Sequence, residues 1–404
     1  MTPNPALLDL LDPFLYAGDT RPVYRWLRDH APVYRDANGI WAVSRHCDVM
    51  DIERNTKLYS SARGSRPFIE MTDSMINKDD PLHSRQRKLV SSRFTPAAVR
   101  RHEERVRSIV TGLIDSVAPT GRAEVVRDLA APLPAMVIAE MIGYGRDMWE
   151  RLKWWSEATM AAAGYLATDD RRPTESDAAQ QDFAAETIEL MRKRAAEPAD
   201  DLISVWLAST VDGEPLAPLE IINEAILLVD GGAETTRSAI GQTVVALCRR
   251  PDQRDLLVRE PELLRRSAVE EFIRWSTPIA NMRRTVTADH ELHGRELRAG
   301  EQVLLMYGSA NRDESVFDDP DDFDVTRSHN HHVAFGFGTH FCLGANLARL
   351  ELRVLFEELL RRLPDFQLAP GPEPEFVPGH FTRTYREIHI EFTPDRATGE
   401  GRGD

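Results

Sequence analysis

The stretch from Pro218 to about Cys248 constrains the fold of this chain more than any other. Proline is favoured in the first turn of a helix, and apolar or small residues then recur on one stripe at Ile221, Ala225, Leu228 and Gly232. The pattern predicts a helix of about thirty residues, beyond the usual length in a globular protein. A helix so long, and apolar through its middle, has to cross the core. Its centre nevertheless reads Asp230-Gly231-Gly232-Ala233-Glu234-Thr235-Thr236. Two adjacent glycines inside a helix cost about 1 kcal/mol each relative to alanine, and an acid would be buried beside them. Local rules are broken in this way most often at a functional site.

Around that helix, helical periodicity dominates from about Thr95 to Arg274, and strand-like alternation is confined to the start and the C-terminal third. Pro32–Arg35 and Ile40–Val43 flank Ala37-Asn38-Gly39, a hairpin signal. Further strands are expected from Arg284 to Met306, with breaks at Gly294 and Gly300, and around Phe366–Leu368 and Tyr385–Phe392. Thr168 to Asp177 reads as a polar surface loop. With 404 residues, 42% of them hydrophobic, the chain can bury a large core. Length alone admits two or three domains, but no repeat or low-complexity linker divides it. The expected fold class is mainly α: one helical unit over residues 1–404 with small β-sheets and a long central helix. Its β-rich part lies at about 20–60, and its helical core at about 80–275 and 344–362.

The formal charge of −15 argues against nucleic acid as a partner. A local exception runs from Arg85 to Arg107, where Arg85, Lys88, Arg93, Arg100, Arg101 and Arg105 face only Glu103 and Glu104. This is either a solvated amphipathic face or a patch that steers an acidic partner. No apolar run approaches the roughly 20 residues needed to span a bilayer. The opening MTPNPALLDLLDPFLYAG has no basic n-region and reads as neither signal nor anchor. A cytoplasmic protein without a membrane anchor is expected. No Gly-x-Gly-x-x-Gly follows a strand, so no flavin or nicotinamide site is foreseen.

Only three cysteines occur, Cys47, Cys248 and Cys342, with no spacing that suggests zinc or a disulfide framework. Cys342 is singled out by its surroundings, His332-Val333-Ala334-Phe335-Gly336-Phe337-Gly338-Thr339-His340-Phe341-Cys342-Leu343-Gly344. Three glycines imply a tightly turned backbone. A helix with Leu347, Leu350 and Val354 on one face follows at once. A thiol at a helix mouth is expected to ionise more easily, because amide N–H groups and the helix dipole favour an anion there. Such a thiolate suits a soft metal or haem iron. A lone cysteine in a turn can equally be a small buried hydrophobe.

The pattern Phe335-x-x-Gly338-x-His340-x-Cys342-x-Gly344 resembles the haem-binding loop of the cytochrome P450 family. Three further motifs carry the same resemblance, in family order. Glu271-Phe272-Ile273-Arg274 is similar to the family's Glu-x-x-Arg pair, and Pro320-Asp321-Asp322-Phe323-Asp324 then points to Arg327 as its third member. Gly231-Gly232-Ala233-Glu234-Thr235-Thr236 resembles the oxygen-binding segment, in which glycine lets the helix deform beside dioxygen, Thr235 donates a proton and Glu234 relays protons from solvent. Asp79–Arg87 resembles the segment whose His and Arg, here His83 and Arg87, hold the haem propionates. Arg284, rather than Arg283, and His340 complete that shell. His340 stands where Arg is more usual, and Glu234 where Asp is.

The resemblance covers essentially the whole chain. It implies a haem-thiolate monooxygenase with haem b, Cys342 as axial ligand and Phe335, Gly338 and Gly344 in the cofactor loop. It also implies a ferredoxin and its reductase as electron donors, and a monomer. The substrate-facing positions it nominates are Phe68, Ile69, Met71 and Met75, Leu228 and Gly232, Ile279 and Met282, and Phe381, within segments that include Arg66–Ile76 and Met160–Leu166. This apolar, methionine-rich lining suits a greasy small molecule. The wording of the motifs is closest to actinobacterial members that oxidise sterol side chains and fatty acyl chains, with terpenoids also in view. A hydrogen-peroxide-driven peroxygenase, a tailoring oxidase for a polyketide and a haem-bearing sensor are the alternatives. The Glu234–Thr235 pair speaks against the first and last.

Overall fold

The long helix predicted from its apolar stripe is present as Pro218–Arg249 in a computed structural model that describes residues 8–67, 73–162 and 173–395. Pro218 occupies the first turn, and Glu220 Oε2 accepts the Ala217 amide at 2.8 Å, which closes the N-terminus. The helix is unbroken through Gly231 and Gly232. It packs against Pro132–Ile142, Trp149–Ala162, Val269–Ser276 and Ala345–Arg362, so it runs through the middle of the fold as its apolar length requires. The paired glycines divide their work. A Cβ on Gly232 would stand 3.2 Å from Ile138 Cγ1, so this glycine admits the Pro132–Ile142 helix, whereas a Cβ on Gly231 would meet nothing within 4 Å.

The expected hairpin is Val33–Arg35 paired antiparallel with Trp41–Val43, and Gly39 takes φ +78° at its turn. It forms one edge of a five-stranded sheet, ordered Val33–Arg35, Trp41–Val43, Gln302–Leu305, Met282–Val286, Tyr59–Ser60. Trp41–Val43 and Gln302–Leu305 run parallel, and the other neighbours are antiparallel. The structure departs from the expected strand map in two places. Arg122–Glu124 pairs with His389–Glu391, and Thr210–Val211 pairs with Glu214–Pro215, both inside the stretch expected to be helical. Strands of two or three residues are too short to leave an alternating pattern. Glu175–Asp177, expected in a loop, form the first turn of the helix Glu175–Ala196, where acids favour the helix dipole. Among the described residues no helix is long and apolar enough to cross a membrane.

What fixes the path of the chain toward Cys342 is a buried ion pair. Glu271 and Arg274 lie one turn apart on Val269–Ser276, and both side chains are fully buried. Arg274 forks onto Glu271 at 2.7 and 2.8 Å and gives its other N–H groups to the carbonyls of Asn311, Pro320 and Asp322 at 2.8–3.0 Å. Glu271 also accepts from the Asp324 amide, Arg327 Nε and Asn330 Nδ2. Arg327 is therefore the third member, as expected from its place after Pro320–Asp324, and it holds the carbonyls of Asp318, Asp319 and Asp322 as well. A run with little regular structure, residues 311–330, is thereby tied to one helix. Arg274→Leu takes two donors from the buried Glu271 carboxylate and leaves the Asn311 and Pro320 carbonyls without theirs, and is expected to lower stability by about 3–5 kcal/mol in urea unfolding. Arg192→Ala, which removes an ion pair about 70% exposed on both sides, should stay within about 0.5 kcal/mol.

Candidate active site

Beyond that anchor the Val333 amide donates to Asn311 Oδ1 at 2.7 Å, and the chain enters the cysteine loop. Gly336 and Gly338 take φ of +67° and +70°, the left-handed region. A Cβ on Gly338 would come 2.8 Å from the Glu53 carbonyl oxygen, so the loop can lie on the His46–Arg54 helix only with glycine there. The Cys342 amide donates to the Phe335 carbonyl at 2.8 Å and closes the loop, and the helix Ala345–Arg362 begins three residues after Cys342. Cys342, Phe335, His340 and Gly344 line one wall of a mainly apolar cavity. Gly231, Gly232, Thr235 and Thr236 of the long helix line it as well. Gly338 does not reach the cavity, and its part is to let the loop pack.

The expected ease of ionising Cys342 is not met in the protein alone. Burial pushes the thiol up, outweighing the Gly344 and Ala345 amides and the positive charge of Arg87 and Arg349. The helix-mouth argument had the right donors but omitted the desolvation cost of the charged form. A metal ion at the sulfur reverses the balance, because a coordinating thiol is deprotonated by its metal.

At the rim, four basic side chains from three segments converge. His83, on Leu82–Ser91, has Nδ1 3.1 Å from Thr339 Oγ1, and its ring centre is 4.0 Å from that of His340. Arg87, one turn on, donates to the Phe341 carbonyl at 2.6 Å. Arg284 is buried and donates to Glu53 Oε2 at 2.6 Å, with Tyr307 hydrogen-bonded to the same carboxylate. Neighbouring Arg283 points to the other face of the strand and donates to the Gly64 carbonyl at 2.9 Å, so Arg284 faces the cavity as strand alternation requires. Burial and the nearby charges of Arg284, His83 and Arg87 push His340 down to about 3. Burial, and then Arg87, also lower His83. Glu53 and Asp80 offset part of this crowding. Mutually repelling bases around an apolar cavity call for a bound anion. A cysteine sulfur on one wall, apolar surfaces and cationic groups at the rim together fit haem, whose iron Cys342 would hold and whose carboxylates the rim bases would hold.

Thr235 reaches the cavity, and its hydroxyl donates to the Gly231 carbonyl at 2.7 Å. Glu234 does not, because successive helix residues point about 100° apart. It is buried on another face, paired with Arg237 at 2.9 Å, and burial raises its carboxyl against the pull of Arg237. Arg237 also pairs with Glu157, which meets Lys153 at 2.7 Å, and both of those are about one-third exposed. The two expected proton carriers thus face different ways, and the acid leads outward to solvent.

Met75, Leu228, Gly232, Ile279, Met282 and Phe381 all line the cavity as expected, while Phe68, Ile69 and Met71 lie outside the described residues. Not foreseen were Glu53, Tyr307 and Glu351. Glu351 is buried against the cavity with Oε2 unpartnered, and burial pushes it up to about 8. Its place four residues after Leu347, on the same helix face, was the available signal. The basic stretch 85–107 is largely compensated. Arg85 pairs with Asp212, Arg93 with Asp200, Arg105 with Glu140, and Arg107 with Glu357 and Glu358. Lys88, Arg100 and Arg101 remain exposed and outside any ion pair among the described residues. Gly338→Ala is expected to cost about 2 kcal/mol or more from backbone strain and contact with Glu53, read as a fall in thermal unfolding temperature.

Residues 159–389 match the family model for cytochrome P450. A steroid C26-monooxygenase of Mycobacterium tuberculosis is 44% identical over 398 residues, 97% of this chain and 98% of the relative. A methyl-branched lipid omega-hydroxylase of Mycobacterium bovis is 41% identical over 87% of this chain and 84% of the relative. The structure of a Mycobacterium marinum cytochrome P450, CYP268A2, in complex with pseudoionone superimposes with a TM-score of 0.87 at 34% identity, covering 95% of this chain and 98% of that one.

Proposed function

The chain belongs to the cytochrome P450 family, and we propose that it hydroxylates an apolar small molecule, a sterol side chain, a fatty acyl or methyl-branched chain, or a terpenoid. As a family member it is a monooxygenase whose haem is held by a cysteine thiolate and whose electrons come from a redox partner. The bound haem supplies activation of dioxygen with two electrons and insertion of one oxygen atom into a C–H bond, the other oxygen leaving as water.

We assign to Cys342 the sulfur that would hold the haem iron. The observation that carries this is its position on the wall of an apolar cavity whose rim gathers His83, Arg87, Arg284 and His340. Those four take the propionates. Glu53, itself on the cavity wall, holds Arg284 in place. Thr235 Oγ1 is the proton donor on the cavity side. Glu234 faces outward, so its part in proton delivery requires a rotation from Arg237 toward the cavity, with Glu157 and Lys153 as the link to solvent. The apolar lining from Met75, Leu228, Ile279, Met282 and Phe381 holds the hydrocarbon and excludes water. The relatives that act on steroids and methyl-branched lipids support the same substrate class.

The electron donor is an acidic ferredoxin served by its reductase. It docks where Lys88, Arg100 and Arg101 lie beside the cysteine loop, whose Phe341 is 39% exposed next to Cys342. Contacts from the Leu82–Phe94 segment to that region, Arg87 to Phe341 and Asn346 to Phe94, support this placement.

The central test is the carbon monoxide difference spectrum. The reduced protein should give the red-shifted Soret band of a thiolate-ligated haem, and Cys342→Ala should abolish it. Persistence of the band in that variant would remove Cys342 as ligand. Thr235→Ala should keep the band yet lower product per reductant consumed several-fold, and an unchanged ratio would take Thr235 out of proton delivery.

A further inference from the structure

Two charged groups in the substrate half of the cavity have no part in the reaction described so far. Arg66 and Asp230 both line it. Arg66 Nη2 lies 3.1 Å from Met160 Sδ, a weak acceptor, and the guanidinium sits 4.5 Å over the Phe381 ring. No carboxylate among the described residues forms an ion pair with it. The charge of Asp230 acts on Arg66, with no hydrogen bond or ion pair between the two among the described residues. One Asp230 oxygen, Oδ1, accepts from Thr159 at 2.8 Å. Burial pushes the Asp230 carboxyl up to about 7, against the pull of Arg66 and the Thr159 and Ser156 hydroxyls. Both groups are thus incompletely matched in a cavity whose remaining walls are mainly apolar, a costly arrangement unless something joins them.

We propose that Arg66 and Asp230 form an anchor for a hydroxyl group on an otherwise apolar substrate, an inference that rests on the apolar-substrate reading above. The donor and acceptor inventory selects the hydroxyl. Guanidinium offers only donors, and above about pH 7, where Asp230 is ionised, the carboxylate offers only acceptors. A group between them must accept from one and donate to the other. A hydroxyl does both. A ketone or ether accepts from Arg66 and leaves Asp230 unmatched. A carboxylate does the same and sets a second negative charge beside Asp230. Asp230 precedes Thr235 by five residues, so the anchor lies about 7.5 Å along the helix axis from the proton donor. The substrate is therefore held by its alcohol end, and a carbon remote from that hydroxyl is presented for oxidation. The product class is a diol.

The test uses the haem-loaded protein and three ligands with one hydrocarbon chain: dodecanol, its methyl ether and dodecane. Dissociation constants are read at about pH 8, where Asp230 is ionised, from the iron spin-state shift and checked by calorimetry. Dodecanol is expected to bind about tenfold tighter than the ether and dodecane. In Arg66→Leu and Asp230→Leu the ratio of dodecane to dodecanol dissociation constants should fall toward one. Equal affinities for all three ligands in the unaltered protein would overturn the anchor while leaving the apolar-substrate reading intact. No binding by any of the three would overturn that reading, and the anchor with it. A ratio unchanged in both variants would also overturn the anchor. Should the variants fail to fold, the three-ligand series on the unaltered protein decides alone.

Discussion

The Glu271–Arg274 pair is the interaction on which the placement of the site depends. Every N–H of the Arg274 guanidinium is matched, two by Glu271 and three by main-chain carbonyls. A buried ion pair gains little net stability once desolvation is counted. Its value here is positional. The carbonyls it takes belong to residues 311, 320 and 322, in a run with little regular structure of its own, and Glu271 collects Asp324, Arg327 and Asn330 from the same run. Asn311, whose carbonyl the pair holds, then fixes Val333 at the entrance to the cysteine loop. A lysine in place of Arg274 has no planar fork and could not serve two carboxylate oxygens and three carbonyls at once.

The rim of the cavity inverts that arrangement. Its bases are held less completely: His83 by Thr339 and Arg87 by the Phe341 carbonyl, neither of which supplies a countercharge, and Arg284 by the single carboxylate of Glu53. His340 stands among them with its proton affinity much reduced. One cluster is closed and serves only the fold. The other is open toward the cavity and is completed by an anion. The difference between a structural and a functional charged cluster is visible in which donors remain to be used.

The parts legible in sequence were those with a local mark. The long helix announced itself by its stripe. The cysteine loop did so by its glycines, and Arg284 was nominated over Arg283 by the family resemblance, with strand alternation making the two exclusive. Features that arise where distant segments meet left no such mark. Glu53 and Arg284 are 231 residues apart, and nothing near either one indicates the pairing. The strand Arg122–Glu124 exists only because His389–Glu391 lies beside it. The thiol of Cys342 was misjudged because amide donors can be read from a helix start, while the desolvation that outweighs them depends on everything that encloses the cavity.

The glycine-rich centre of the long helix, a conflict when read as sequence, is resolved by geometry. A helix that crosses the core meets a different environment on each face within a single turn. Asp230 looks into the substrate half of the cavity and Thr235 into the same space five residues on. Between them, Gly232 is pressed toward Ile138 and Glu234 is turned to Arg237 and the route to solvent. No single residue type satisfies neighbours so unlike one another. The segment therefore mixes acids, glycines and threonines where a helix serving only to pack would repeat leucine and alanine. The loss in helix propensity is about 1 kcal/mol per glycine, small beside the packing that the rest of Pro218–Arg249 contributes, and so the helix stays unbroken while its middle turns serve chemistry.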